Sequence, residues 1–152
     1  MHNACTAPRR IPVFFYGSFI RPDVMASAGF VPEHIEVVRL SGFDMRVCPH
    51  ACIVRSSEHS IYGILVSATH EELHRLYHRD GVGVFLPQAV VVEMPTGSLM
   101  PAMCYIPPAA QDQPADADYL ERLLVAAREH GFPEWYQKRL ERFRPSAQQC
   151  SA

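Results

Sequence analysis

The sequence lacks the apolar runs that would anchor or export a protein. No run approaches the roughly 20 apolar residues that a membrane-spanning helix needs. The N-terminal stretch MHNACTAPRR contains none of the apolar core of a secretory signal. We therefore expect a cytoplasmic protein with no membrane partner.

An excess of charge of one sign is also missing. Fourteen Lys and Arg residues stand against 16 Asp and Glu residues, for a net charge of −2. This balance gives no bulk attraction to phosphate backbones, so we expect no nucleic-acid partner. A content of 48% hydrophobic and 20% charged residues excludes a disordered chain. The 152 residues fit one domain, predicted over 12–145 between flexible segments 1–11 and 146–152.

Paired cysteine motifs and nucleotide-binding glycine motifs are absent. The five cysteines are scattered, and none forms a C-x-x-C pair, so reduced thiols in a reducing compartment are expected. The short run Gly81-Val-Gly83 lacks a third glycine and a following helix, which excludes a dinucleotide site. The cysteines are Cys5, Cys48, Cys52, Cys104 and Cys150.

What the sequence does contain is a series of short strands with a few helices between them. Strands are predicted over 12–16, 36–40, 43–48, 61–66, 84–94 and 100–106. Pro22 opens a short helix, and a capping box at Thr69 and Glu72 begins a second one that runs down to Asp80. Further helices are predicted over 119–130 and from Pro133. Because strands and helices do not alternate strictly, the pattern indicates an α+β domain.

Three histidines share one stripe of the second predicted helix: His70, His74 and His78. Histidines at i and i+4 can hold zinc when another ligand completes the site. No glutamate in an H-E-x-x-H motif accompanies them, so we expect a solvated helix face that binds no metal.

The segment Tyr16-Gly17-Ser18-Phe19 follows a strand and precedes a helix. It lacks the second glycine of the G-x-S-x-G nucleophile elbow, which argues against a serine hydrolase. A glycine turn at such a junction presents backbone N–H groups that can bind a carboxylate or phosphate. An ordinary tight turn explains the same residues equally well.

Asp80 stands at the end of a predicted helix, directly before Gly81. A carboxylate there faces the negative end of the helix dipole, which costs stability and makes it a functional candidate. A solvated turn residue is the simpler alternative.

Taken in order, these places resemble a known family. The run from Phe14 to Ser18, Phe-Phe-Tyr-Gly-Ser, resembles the Y-G-S turn of the gamma-glutamylcyclotransferase-like family, and Gly42-Phe-Asp-Met-Arg46 resembles its next strand. Tyr62-Gly-Ile-Leu65 and the helix that ends at Gly81 are similar to its apolar strand and following helix. The stretch from Tyr119 to Gln137 resembles the ending of the branch that belongs to the glutathione pathway.

The resemblance implies a small mixed β-barrel of about six strands with flanking helices. It also implies an enzyme that releases 5-oxoproline from a γ-glutamyl amine or peptide, with no metal or organic cofactor. The substrate's own α-amine attacks the γ-carbonyl while a carboxylate moves the proton. By resemblance, Asp80 is the catalytic acid/base, and the substrate is bound by Tyr16, Gly17, Ser18, Phe19 and Tyr119.

Two positions depart from the family. Its acid/base residue is a glutamate, whereas this chain has Asp80, which is shorter by about 1.5 Å; a misplacement of that order can cost about a hundredfold in rate. Phe19 occupies a turn position where Asn or Leu is common. The alternative is therefore a catalytically impaired member of the fold that binds an amino-acid-like ligand or a protein partner. The leaving amine (from glutathione, a γ-glutamyl amino acid or an antibiotic intermediate) and the oligomeric state, with a homodimer among the options, stay open.

Overall fold

The computed structural model of the chain describes residues 8–78, 83–108 and 113–145. The predicted flexible tail and most of the predicted flexible N-terminus lie outside these residues. The first strand begins at Arg10, two residues before the predicted start of the domain. In the part of the chain that is described, no helix is both long and apolar enough to cross a membrane.

Within the described residues, five strands form a single sheet whose order is β1-β3-β2-β4-β5. The first and last strands in this order also pair, in parallel, through Val13 opposite Met103, so the sheet closes into a barrel. All other neighbours are antiparallel. The strands are β1 (Arg10–Phe15), β2 (Glu36–Val47), β3 (Ala51–Thr69), β4 (Leu86–Glu93) and β5 (Leu99–Ile106).

The α+β class is confirmed, but the expectation of about six strands is wrong for the described residues. The two strands predicted over 36–48 are one strand, β2, and the predicted hinge at Ser41 and Gly42 is a shift of register between Ser41 and Phe43. A bulge of this kind bends a strand without ending its ladder.

The strand predicted over 61–66 is the second half of a 19-residue strand, β3. Its first half carries Arg55, Ser56 and Glu58, which interrupt any apolar alternation in the sequence. β2 pairs with β3 on both sides of this polar segment, with Phe43 opposite Arg55 and Ser41 opposite Ser60. Strand formation here depends on the partner strand more than on local preference.

In the ranges that the structure describes, four α-helices accompany the sheet, and local signals explain where the first two of them begin. Pro22 is in the first turn of α1, as predicted. The Thr69 side chain accepts a hydrogen bond from the Glu72 amide, and the Glu72 side chain accepts one from the Thr69 amide, so the predicted capping box is confirmed. The helices are α1 (Pro22–Ser27), α2 (His70–Tyr77), α3 (Ala117–Glu129) and α4 (Glu134–Glu141).

The C-terminal helices are fixed to the sheet by packing and by one ion pair. Tyr136 and Leu140 of α4 are each only 1% exposed. The Arg139 guanidinium donates to both carboxylate oxygens of Asp44 on β2, with both Nη2 contacts at 2.7 Å. This two-pronged geometry sets the orientation of α4 against the sheet. Near the start of α3, the Tyr119 hydroxyl lies 3.3 Å from the hydroxyl of Ser18, which follows β1.

Candidate functional site

A cavity of about 320 Å³ lies where β1 ends and the chain turns into a short 3-10 helix, Ser18–Ile20. The volume is within the range of small-molecule sites. Five residues that the sequence assigns to substrate binding all line it: Tyr16, Gly17, Ser18, Phe19 and Tyr119. The structure therefore brings together two segments that are about a hundred residues apart in the chain.

Asp80, the predicted acid/base, lies outside the described residues. Tyr77 before it and Phe85 after it both line the cavity. Among the lining residues that the structure describes, none is a carboxylate. Glu93, a carboxylate on β4, does not line the cavity; it pairs with Arg39 on β2 at 3.6 Å.

The turn at residues 16–19 leaves backbone donors beside the cavity. The Ile20 amide donates to the Gly17 carbonyl and the Arg21 amide donates to the Ser18 carbonyl, which closes the 3-10 turn. Within the described part of the chain, the amides of Gly17, Ser18 and Phe19 donate to no other group. Adjacent unpaired N–H groups of this kind can hold an anion.

Gly17 is required by a close approach rather than by its own backbone angles. A Cβ added there would lie 3.0 Å from the Ala51 Cβ and 3.2 Å from the Tyr119 hydroxyl. Both separations are tighter than ordinary van der Waals contact. A side chain at this position would therefore push α3 and the start of β3 away from the turn.

Tyr119 is held in place from both ends. Asp116, the N-cap of α3, accepts a hydrogen bond from the Tyr119 amide at 3.0 Å. At the other end, the Tyr119 hydroxyl oxygen accepts from the Ala51 amide at 3.1 Å and from the Ser18 hydroxyl at 3.3 Å. With two bonds accepted, the phenol still has its own proton to donate.

Burial raises the pKa of Tyr119, and the hydrogen bonds from Ser18 and Ala51 oppose that rise. The phenol is therefore protonated at neutral pH and serves as a donor rather than as a base. Tyr16 is similar: burial raises its pKa, and its hydroxyl donates to the Tyr105 carbonyl at 2.9 Å. That bond uses the Tyr16 proton inside the fold, whereas, among the described residues, the Tyr119 hydroxyl only accepts hydrogen bonds and keeps its proton free.

Two polar residues of the cavity were not predicted from the sequence. Arg21 lines it and pairs with Asp23, the latter 69% exposed, at 2.6 Å. His50 also lines it, with its ring 4.7 Å from the Tyr119 ring. The position of Arg21, two residues after the turn, could have indicated that it lies near the site. No feature of the sequence around His50 indicates this. The β2–β3 hairpin that carries His50 forms through long-range pairing.

An aromatic wall forms the apolar part of the cavity. Its rings contact one another in sequence, with centroids 5.4 Å apart for Phe15 and Phe19, 5.1 Å for Phe19 and Tyr77, and 5.3 Å for Tyr77 and Phe85. Tyr105 completes it by stacking on Tyr77 at 4.2 Å. The aromatic wall thus comprises Phe15, Phe19, Tyr77, Phe85 and Tyr105.

The histidine stripe lies away from this cavity. The rings of His74 and His78 stack at 4.0 Å, and neither they nor His70 are among the lining residues. In the described ranges, no three potential ligands come together as a metal site. Cys48, Cys52 and Cys104 are unpaired there.

Comparison with protein families gives one match. The sequence model of the family described as AIG2-like matches residues 60–140, just over half of the chain. The matched segment includes the second half of β3, all of α2, β4, β5 and α3, and most of α4. A search of curated proteins found no match.

Solved structures match the fold at low sequence identity. One described as gamma-glutamyl cyclotransferase has a TM-score of 0.76 at 20% identity and covers 91% of this chain and 90% of its own. An uncharacterised protein from Homo sapiens has a TM-score of 0.75 at 20% identity, with the same coverage. A yeast gamma-glutamyl cyclotransferase described as specific to glutathione has a TM-score of 0.63 at 13% identity and covers 90% of this chain and 97% of its own. At such identities the likeness shows the fold alone.

Proposed function

This chain belongs to the AIG2-like family, and we propose that it is a γ-glutamyl cyclotransferase. Family membership and the structural neighbours confirm the resemblance to gamma-glutamylcyclotransferase-like proteins seen in the sequence motifs. The reaction releases 5-oxoproline from a γ-glutamyl amine or peptide. One observation carries the proposal: the unpaired amides of residues 17–19 and the free proton of Tyr119 meet at one cavity.

The turn amides suit the charged end of the substrate. A γ-glutamyl group carries an α-carboxylate, and its γ-carbonyl oxygen becomes negative in the transition state. Donors at Gly17, Ser18 and Phe19 hold one of these oxygens without needing to reorganise, because the 3-10 turn fixes them. The Tyr119 hydroxyl supplies a further donor from α3.

The chemistry requires little of the enzyme beyond geometry. The substrate's α-amine attacks its own γ-carbonyl carbon, closes a five-membered ring and breaks the bond to the leaving amine. Holding the chain in the folded conformation contributes several kcal/mol through proximity, on the order of 7 kcal/mol in favourable cases. No step requires a metal or an organic cofactor.

Asp80 is the proposed acid/base. It takes a proton from the attacking ammonium group and returns one to the leaving amine. Two facts support this role: the described lining contains no carboxylate, and Asp80 is only three residues from Tyr77, which lines the cavity. Because an ordinary aspartate titrates near pH 3.9, efficient catalysis requires surroundings that raise its pKa.

Replacing Asp80 tests the proposal. Asp80→Asn keeps the size and polarity but removes the base, so 5-oxoproline release should fall by about a hundredfold or more while ligand affinity changes little. Asp80→Glu restores the family residue and should preserve or raise activity. Glu93→Gln is the matched control, since Glu93 is a carboxylate outside the cavity, and it should leave turnover unchanged.

Three results would contradict parts of this scheme. Unchanged turnover in Asp80→Asn would remove Asp80 from the mechanism. Loss of activity in Glu93→Gln would transfer the role to Glu93. If the wild-type protein binds γ-glutamyl compounds but releases no 5-oxoproline from any, the ligand-binding alternative replaces the enzyme.

A further inference from the structure

The aromatic wall is not needed by any step of the proposed reaction. The γ-glutamyl half of the substrate offers a carboxylate, an ammonium group and a polar carbonyl, all of which need hydrogen-bond partners. Gly17, Ser18 and Tyr119 supply such partners. Five aromatic rings line the same 320 Å³ cavity and present apolar faces that the γ-glutamyl half does not require.

The wall has buried rings on one side and partly exposed rings on the other. Phe15 is 2% exposed and Phe19 is 9% exposed, whereas Phe85 and Tyr105 are partly exposed. Burial raises the pKa of Tyr77 well above its ordinary value, as expected of a phenol in a water-poor place. An apolar group that enters the cavity here replaces poorly hydrated space with ring contacts.

Tyr77 connects the wall. It stacks on Tyr105 at 4.2 Å and contacts both Phe19, edge to face, and Phe85. These contacts hold the rings in fixed relative positions, which favours a rigid binding surface over an adaptable one. Phe19 belongs to both parts of the site, because its amide lies in the turn and its ring lies in the wall.

We propose that the aromatic wall binds the side chain of the leaving amine, so that the substrates are γ-glutamyl conjugates of aromatic or large apolar amino acids. This inference rests on the proposed function, because it assumes that the γ-glutamyl group occupies the polar part of the cavity. The ligand then spans the site, with its glutamyl end at the turn of residues 16–19 and its apolar end against the wall.

γ-Glutamyl-phenylalanine and γ-glutamyl-glycine are the two probes, since they differ only in the group assigned to the wall. Calorimetry measures binding, and release of 5-oxoproline measures turnover. Burial of a phenyl group in the wall should give γ-glutamyl-phenylalanine an advantage of about tenfold to a hundredfold in both affinity and kcat/KM.

Phe85→Ala tests whether the wall causes this preference. The ratio between the two probes should fall by about fivefold to tenfold, and Phe85→Leu, which keeps apolar bulk, should give an intermediate ratio. Val84→Ala is the matched control, because Val84 is 69% exposed and does not line the cavity, and it should keep the wild-type ratio.

The two readouts separate this inference from the proposed function. If γ-glutamyl-phenylalanine binds more tightly than γ-glutamyl-glycine but neither is turned over, the proposed role of the aromatic wall is supported and the cyclotransferase activity is contradicted. Turnover with no preference for γ-glutamyl-phenylalanine overturns the wall and leaves the cyclotransferase in place. A preference for γ-glutamyl-phenylalanine that persists unchanged in Phe85→Ala also contradicts the proposed role of the aromatic wall. If neither probe binds or reacts, both proposals are contradicted.

Discussion

Tyr119 connects three parts of the chain that are remote in sequence. Its hydroxyl oxygen accepts from Ser18, 101 residues away, and from the Ala51 amide, 68 residues away. Because Gly17 has no side chain, the hydroxyl can come this close to the turn. One phenol thus aligns the end of β1, the start of β3 and α3 around the cavity.

Tyr119→Phe should impair both stability and catalysis. Removal of the oxygen leaves the buried Ala51 amide without its acceptor, which costs about 1–3 kcal/mol of unfolding free energy. Loss of the free donor should lower kcat/KM for 5-oxoproline release on the order of a hundredfold. Urea unfolding and steady-state kinetics measure the two effects. Tyr62→Phe, which removes a hydroxyl far from the cavity, serves as the control, and equal activity of both variants would contradict the role of Tyr119.

β1 and β3 lie in close contact at Gly63. Gly63 lies next to the Phe15 and Phe14 positions of β1, where Phe15 pairs with Ile64. An added Cβ would overlap the Phe15 carbonyl oxygen and lie 2.7 Å from the Phe14 ring. Backbone and a fully buried ring cannot move aside cheaply, so the strand requires glycine here.

Gly63→Ala should therefore be strongly destabilising, because even the single methyl group of alanine overlaps β1. We expect a loss of about 3 kcal/mol or more, comparable to overpacking of a core. Thermal unfolding monitored by circular dichroism measures it. A variant within about 1 kcal/mol of wild type would show that β1 and β3 can separate at this point.

Helix α2 carries Tyr77, the centre of the aromatic wall, and its start depends on the capping box. Thr69→Ala should cost about 1 kcal/mol because it removes the side-chain acceptor of the Glu72 amide. The same change should weaken binding at the wall, since α2 holds Tyr77. Ser67→Ala, at an exposed position of β3, is the control and should have little effect on urea unfolding. Equal unfolding midpoints for the two variants would contradict the prediction.

At the scale of the whole molecule, alkaline pH should destabilise the fold through buried thiol and phenol groups. Burial raises the pKa of Cys104, which is fully buried, from 9.0 to about 12. The folded chain keeps this proton at a pH where the unfolded chain releases it. The stabilising contribution is therefore complete below about pH 9 and is lost as the pH rises towards about 12.

Cys104→Ala isolates this contribution. Between about pH 8 and pH 10 the wild-type protein should lose about 1.4 kcal/mol more unfolding free energy than the variant does. Urea unfolding under reducing conditions at the two pH values measures the difference. The pKa of Cys52 is also raised by burial, but this thiol is present in both proteins, so its contribution to the pH dependence cancels in the comparison. Parallel losses in the two proteins would mean that the Cys104 thiol is not shielded in the fold.

The features that could be predicted from the sequence alone are those that depend on local interactions. The Thr69 capping box, Pro22 at the start of α1 and the apolar run of β3 each act within a few residues, so their patterns could be identified directly. The turn at residues 16–19 was also visible, since a strand, a glycine and a helix start follow one another. The residues of the proposed site came from family motifs, and Asp80 stays a prediction.

How these pieces assemble depends on contacts that form only in the folded chain. The parallel pairing of β1 with β5 closes the sheet, and no local pattern encodes a contact between positions 13 and 103. Residues 51–55 of β3 pair with β2, and His50 reaches the cavity because that hairpin forms. The aromatic wall likewise combines β1, the 3-10 turn, α2, β5 and the residues before β4. Side chains that are far apart in sequence meet through packing and hydrogen bonding of the folded chain, which residue order alone does not express.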